Sequence, residues 1–148
     1  MAAMTFGSIL VVCTGNVCRS PIGERLLRQA LPQMRVASAG LAALVGQPAD
    51  ALARRVAELN GVSLEGHVAR RLTAQVLQEY ELILVMELAH LDHISRIAPA
   101  CRGKALLFGQ WLARREIPDP YRKSVDAFEH VFALLGSASQ EWAQRLSR

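Results

Sequence analysis

Cys13 and Arg19 are separated by five residues in the segment Cys13-Thr14-Gly15-Asn16-Val17-Cys18-Arg19-Ser20-Pro21, which directly follows the apolar run Ile9-Leu10-Val11-Val12. That spacing allows a loop whose backbone N–H groups all turn inward, a nest for phosphate oxygens. Arg19 adds a planar two-pronged donor. Ser20 and Pro21 read as the N-cap and first residue of a helix, so the loop would end at the positive pole of a helix dipole. A bound anion and an ionised Cys13 are both favoured there. A free cysteine has a pKa of about 8.5, and the inward amides, the helix start, Arg19 and the Ser20 hydroxyl are expected to lower it. The chemistry implied is nucleophilic attack on phosphorus by sulfur. A cysteine after a strand is more often just a small buried side chain. Here its loop supplies every partner that a nucleophile needs.

Such an attack expels an alkoxide or phenoxide, which needs a proton. Ile117-Pro118-Asp119-Pro120-Tyr121 offers a carboxyl group on a stiff loop, and Asp119 is the expected general acid. Alone, an Asp-Pro pair would more often start a turn. Cys18 admits two readings: a small side chain at the back of the loop, or a resolving thiol that traps oxidised Cys13 as a disulfide. Cys101 reads as incidental. His90, His93 and His130 read as surface residues of helices, without metal-ligand partners.

These residues must be positioned by the rest of a chain of 148 residues, a length suited to one domain spanning residues 1–148. Apolar residues make up 51% and charged residues 20%, which excludes a disordered chain. The first apolar run is too short for a signal peptide or a membrane span, so the expected location is the cytoplasm with no membrane insertion. Three cysteines, two of them in one loop, do not form a disulfide framework. Net charge is +4, and the arginines form scattered pairs without interleaved aromatics, so no nucleic-acid partner is expected.

Four apolar runs read as strands, at 8–12, 34–37, 82–86 and 104–108. Between them, Ile22, Leu26 and Ala30 share a helical face, as do Leu52, Val56 and Leu59, then Leu88, Leu91 and Ile94. Val125, Phe128, Val131, Phe132 and Leu135 repeat the pattern, with Gly136 either inside the last helix or dividing it. Strands that are apolar throughout, each followed by a helix, predict an α/β fold: a three-layer sandwich with a central four-stranded parallel sheet. Ligands of such sheets bind beyond the carboxyl ends of the strands, where the Cys13 loop falls.

Val12 to Pro21, with Asp119-Pro120-Tyr121, resembles the signature loop and acid loop of the low-molecular-weight protein tyrosine phosphatases. Ser38-Ala39-Gly40 and His67-Val68-Ala69-Arg70 are similar to further segments of that family. The resemblance implies that Cys13 forms a cysteinyl-phosphate, that Asp119 protonates the leaving oxygen and then activates water, and that no metal or cofactor takes part. It implies that Arg19 and the amides of Thr14, Gly15, Asn16, Val17, Cys18 and Ser20 bind the phosphoryl oxygens. It also implies that Asn16 holds the loop in shape, with Ser38 and His67 as partners.

Leu41 to Gly46, Leu64 to His67 and Ile117 to Ser124 are similar to a bacterial subgroup linked to capsule and exopolysaccharide export. That subgroup implies a phosphotyrosine protein as partner: the tyrosine-rich tail of a membrane-bound tyrosine autokinase. Tyr121 is expected to border the entrance, with Leu41, Leu44 and Val45 as an aliphatic opposite wall. The alternatives are a thiol-dependent arsenate reductase, disfavoured because only Cys101 lies outside the loop, and an inactive phosphate-binding or redox-sensing module.

Overall fold

The computed structural model describes residues 6–146; the part of the N-terminal reading that falls on residues 1–5 lies outside them. The elements run β1 (Ser8–Cys13), α1 (Arg19–Ala30), β2 (Arg35–Gly40), α2 (Ala51–Leu59), α3 (Ala74–Gln78), β3 (Leu82–Val85), α4 (Leu88–Ile97), a 3-10 turn (Pro99–Lys104), β4 (Ala105–Leu107) and α5 (Val125–Leu146). The four strands form one parallel sheet in the order β2-β1-β3-β4. Chain order therefore reverses on either side of β1, and the crevice at such a switch point opens beyond that strand's carboxyl end. Cys13 is the last residue of β1.

All six residues of β1 are buried, because both faces of the sheet are covered. Ile9, Val11 and Cys13 face a core shared with Ile22, Leu27, Phe108, Phe128, Leu135 and Trp142. Leu10 and Val12 face a second core with Ile83, Val85, Leu91, Ile94 and Cys101. The indole N–H of Trp142 donates to the Phe108 carbonyl at 2.9 Å, which ties α5 to the end of β4.

Several sequence expectations shift. β2 continues to Gly40, since its last three residues pair with Val11, Val12 and Cys13. The short helix α3 carries no apolar period of its own; its start is fixed by Thr73, whose hydroxyl accepts from the Val76 amide. α1 is rotated relative to the expected face. Gly23 and Leu27 are buried while Ala30 is exposed, because Gly23 lies against Phe108 and Val11 so closely that a Cβ there would stand 2.9 and 3.2 Å from them. Leu59 and Leu88 are exposed, and α2 buries Ala53, Val56 and Ala57 instead. Gly136 lies inside an unbroken α5.

Candidate active site

The loop after β1 gives up its carbonyls to the structure around it. Leu41 N–H donates to the Cys13 carbonyl (3.0 Å), Ala42 to Thr14 (2.9 Å), Leu44 to Gly15 (3.0 Å) and Asp50 to Val17 (2.8 Å). His67 Nε2–H donates to the Asn16 carbonyl at 2.6 Å, and Ile22 N–H to that of Cys18 at 3.4 Å. With every carbonyl from Cys13 to Cys18 turned outward, the amides are left for the concave side. Asn16 N–H points at Cys13 Sγ, 3.3 Å away.

Asn16 makes this curvature possible and is buried with a left-handed backbone, φ 58°. Its Oδ1 accepts from Arg70 N–H at 2.9 Å, and its Nδ2 donates to Ser20 Oγ (2.7 Å) and Ser38 Oγ (3.0 Å). Ser38 then donates to the buried Glu24 carboxylate at 2.9 Å. The Ser20 oxygen is occupied as an acceptor, so its own proton is free for Cys13 Sγ at 3.0 Å. Ser20 is therefore not the N-cap. Helix α1 starts at Arg19, with Cys18 as a cap that makes no side-chain bond, because the serine hydroxyl is drawn to the sulfur. Gly40 completes the fit: a Cβ there would stand 2.6 Å from the Thr14 carbonyl and 2.9 Å from Asn16 Cβ.

Arg19 is 1% exposed and carries the cation into the loop. Its Nη1 donates to Glu87 and to the Ile117 carbonyl (2.8 Å), and its Nη2 donates to Thr14 Oγ1 (3.3 Å) and stands 3.5 Å from Asp119 Oδ2. Nε, equally buried, has no partner among the described residues. A buried arginine donor left free beside a nest of inward amides suits a phosphoryl oxygen. Asp119 accepts the Tyr121 amide at 3.0 Å and leaves its side chain 43% exposed.

Cys13, Thr14, Gly15, Val17, Cys18, Arg19, Ala42, Leu44, Asp119 and Tyr121 line one cavity of about 150 Å³. The expected wall is thus partly corrected. Leu44 and Tyr121 line it, but Leu41 packs against the second core and Val45 projects 65% exposed; Ala42 takes the place between them. Asn16, Ser20, Ser38 and His67 stand behind the loop and out of the cavity. Cys18 is a buried free thiol whose pKa is pushed up by burial, with the Asp50 charge adding to it.

Three residues escaped the sequence reading. Glu24 lies one turn beyond Ser20 on α1, a spacing that puts both on one face. Glu87 and His90 follow β3, whose carboxyl end lies beside that of β1 in this strand order. His90, expected at the surface, is buried. Burial lowers the pKa of both His67 and His90.

Residues 8–148 match the family model described as low molecular weight phosphotyrosine protein phosphatase. The chain is 64% identical over 148 residues, covering all of this chain and all of that protein, to the low molecular weight protein-tyrosine-phosphatase Etp of Escherichia coli K12. The crystal structure of the Erwinia amylovora tyrosine phosphatase AmsI superposes with a TM-score of 0.94 at 56% identity, covering 97% of this chain and 95% of that one. Vibrio vulnificus Wzb in complex with benzylphosphonate does so with a TM-score of 0.94 at 51% identity, covering 95% and 99%. With the thiol loop and the Asp119 loop meeting at one cavity, this chain belongs to the low molecular weight phosphotyrosine protein phosphatase family.

Proposed function

We propose that this phosphatase cleaves phosphotyrosine in two steps on Cys13. The Cys13 sulfur attacks phosphorus, the phosphorus–oxygen ester bond breaks, and Asp119 gives its proton to the leaving tyrosine oxygen. Asp119, now a carboxylate, takes a proton from water. That water oxygen attacks phosphorus, the sulfur–phosphorus bond breaks, and phosphate leaves. Arg19 Nε and the inward amides of the loop hold the equatorial oxygens throughout. The observation that carries this reading is the unpartnered Nε of a fully buried Arg19, set in a loop whose carbonyls all face away.

Asn16, Ser20, Ser38 and His67 keep the loop in shape, and Leu44 and Tyr121 flank the aromatic ring. Cys101 is buried in the second core, while Cys13 belongs to the first. This favours hydrolysis over a reductase relay, which needs cysteines that reach the loop. Benzylphosphonate, held by a structural neighbour, has the ring and tetrahedral phosphorus of such a substrate.

The partner is a cytoplasmic phosphotyrosine protein, the tyrosine-rich tail of a membrane-bound autokinase governing exopolysaccharide production, as the subgroup segments around Leu44 and Tyr121 imply. No helix among the described residues is long and apolar enough to cross a membrane.

Chelator-treated protein tests the mechanism. Wild type hydrolyses an aryl phosphate through a trapped phosphoenzyme, and Cys13→Ser does not turn over; full turnover by Cys13→Ser overturns it. A pull-down with Asp119→Ala in the source cell tests the partner, which is wrong if no tyrosine-phosphorylated kinase is enriched.

A further inference from the structure

The turn between β3 and α4 holds a buried imidazole to which the two-step chemistry assigns no part. Met86 N–H and Glu87 N–H both donate to His90 Nδ1, at 3.3 and 3.2 Å. A ring nitrogen that accepts carries no proton, so the single proton of the neutral ring is on Nε2. Nε2 stands 3.2 Å from Thr14 Oγ1 and donates to it. The same oxygen receives Arg19 Nη2–H at 3.3 Å. Two donors occupy the acceptor capacity of the hydroxyl, and its own hydrogen must point to a third place. Thr14 is among the residues that line the Cys13 cavity, where a bound phosphoryl oxygen would give that hydrogen an acceptor.

We propose that the Thr14 hydroxyl is a side-chain donor to the phosphoryl group, aimed by His90 as a positioning residue. The inference rests on the phosphatase reading and extends it to a residue type that a phosphate nest does not require, since backbone amides serve there whatever the side chain. Its physical gain is preorganisation. An isolated threonine hydroxyl rotates among three staggered positions, whereas this one has a single direction left and needs no reorientation as charge develops on the phosphoryl oxygens. Burial of His90, at 4% exposure, lowers its pKa and so favours the neutral ring that accepts the two amides.

Isosteric substitutions separate the two jobs of the imidazole. His90→Asn puts an amide oxygen where Nδ1 sits and keeps the turn, but its amide nitrogen falls short of Thr14. His90→Gln puts a donor where Nε2 sits and forfeits the turn. Thr14→Val is expected to lower kcat/KM on an aryl phosphate and to weaken inhibition by inorganic phosphate, each about tenfold, the effect of one lost hydrogen bond to a charged group.

Thr14→Ser is expected to recover most of that loss. His90→Asn should match Thr14→Val in both readouts with a melting temperature near that of wild type, and the double variant should be no worse than Thr14→Val alone. His90→Gln should exceed His90→Asn in phosphate affinity while melting lower. Wild-type kinetics in Thr14→Val, losses that multiply in the double variant, or a His90→Asn that binds phosphate as wild type does would each overturn the proposal. Turnover by Cys13→Ser tests the phosphatase reading separately, and the phosphate affinities of the Thr14 and His90 variants decide the proposal on their own.

Discussion

The Cys13–Ser20 loop and the Arg114–Ser124 loop meet at one cavity but are held in opposite ways. In the first, every carbonyl from Cys13 to Cys18 has a donor, and Asn16, Arg19 and Ser20 are buried to the last percent. In the second, the attachments lie before Asp119: Arg115 N–H donates to the Gly109 carbonyl (3.0 Å), Glu116 accepts from Leu88 N–H (2.8 Å), and Ile117 donates to the Met86 carbonyl (2.9 Å) and accepts from Arg19 (2.8 Å). Pro120 is buried, while Tyr121 to Ser124 are exposed. The difference suits the two tasks proposed for these loops. Stabilising charge on a phosphoryl group requires donors already in place, because reorienting them during reaction would cost what they contribute. Delivering a proton requires a carboxyl group that a substrate can reach, and the exposure of Asp119 suits that proposed part.

Four measurements sharpen or break this contrast. The largest effect is expected from Asp119→Ala, which should lower kcat on an aryl phosphate about a hundredfold or more while the phosphoenzyme still forms and the melting temperature is unchanged. A parallel loss of stability would mean that the acid loop is structural after all.

Asn16→Ala comes next and should behave oppositely. It leaves Ser20, Ser38 and the Arg70 amide without their partner, at a cost on the order of 3 kcal/mol in chemical denaturation, with activity falling alongside. An active Asn16→Ala of wild-type stability would remove the basis for a prebuilt loop.

The third measurement is stability against pH. His67 faces the Asn16 carbonyl, Glu24, Arg25 and Arg28; His90 faces Glu87, Arg19, His93 and Asp119; burial dominates and lowers both pKa values below the ordinary 6.5. The unfolded chain therefore binds more protons than the folded one below about pH 6.5, and stability must fall as pH drops through that window. Melting temperatures from pH 7.5 to 5 should show this decline, and His67→Asn should flatten it. A decline of the same slope in His67→Asn would assign it to other groups.

The smallest effect is expected at the rim. Leu44→Trp should change the preference between small and large aryl phosphates only severalfold, since Leu44 is 40% exposed and stands at the rim of the cavity. Selectivity indistinguishable from wild type would take Leu44 out of the binding wall.

Much of the site was legible in the sequence because its parts are local. Cys13, Arg19 and the intervening loop lie within one turn of chain, and Pro118 and Pro120 mark Asp119. The expected Leu41 and Val45 failed for a related reason: alternate residues of a loop point to different sides, and which side faces the cavity depends on the partners of the backbone. Here Leu41, Ala42 and Leu44 N–H groups bond to successive carbonyls of the phosphate loop, which sets Ala42 and Leu44 toward the cavity. His90 was misread because a lone histidine on a helix carries no sign of what it packs against.

The sequence by itself determined the alternation of strand and helix, the parallel sheet, and the thiol, guanidinium and carboxyl groups that meet at one cavity. These follow from hydrophobic period, residue chemistry and spacing, all properties of short stretches. Only the tertiary structure decided that Glu24 joins the chain of hydrogen bonds behind Cys13, that Glu87 holds Arg19, that His90 reaches Thr14, and that Ser20 serves the sulfur and does not cap its helix. Each of these pairs joins a donor to an acceptor across elements brought together by the strand order. A buried polar atom shows its chemistry in its residue name, but its partner is chosen by whichever element folding places within 3 Å.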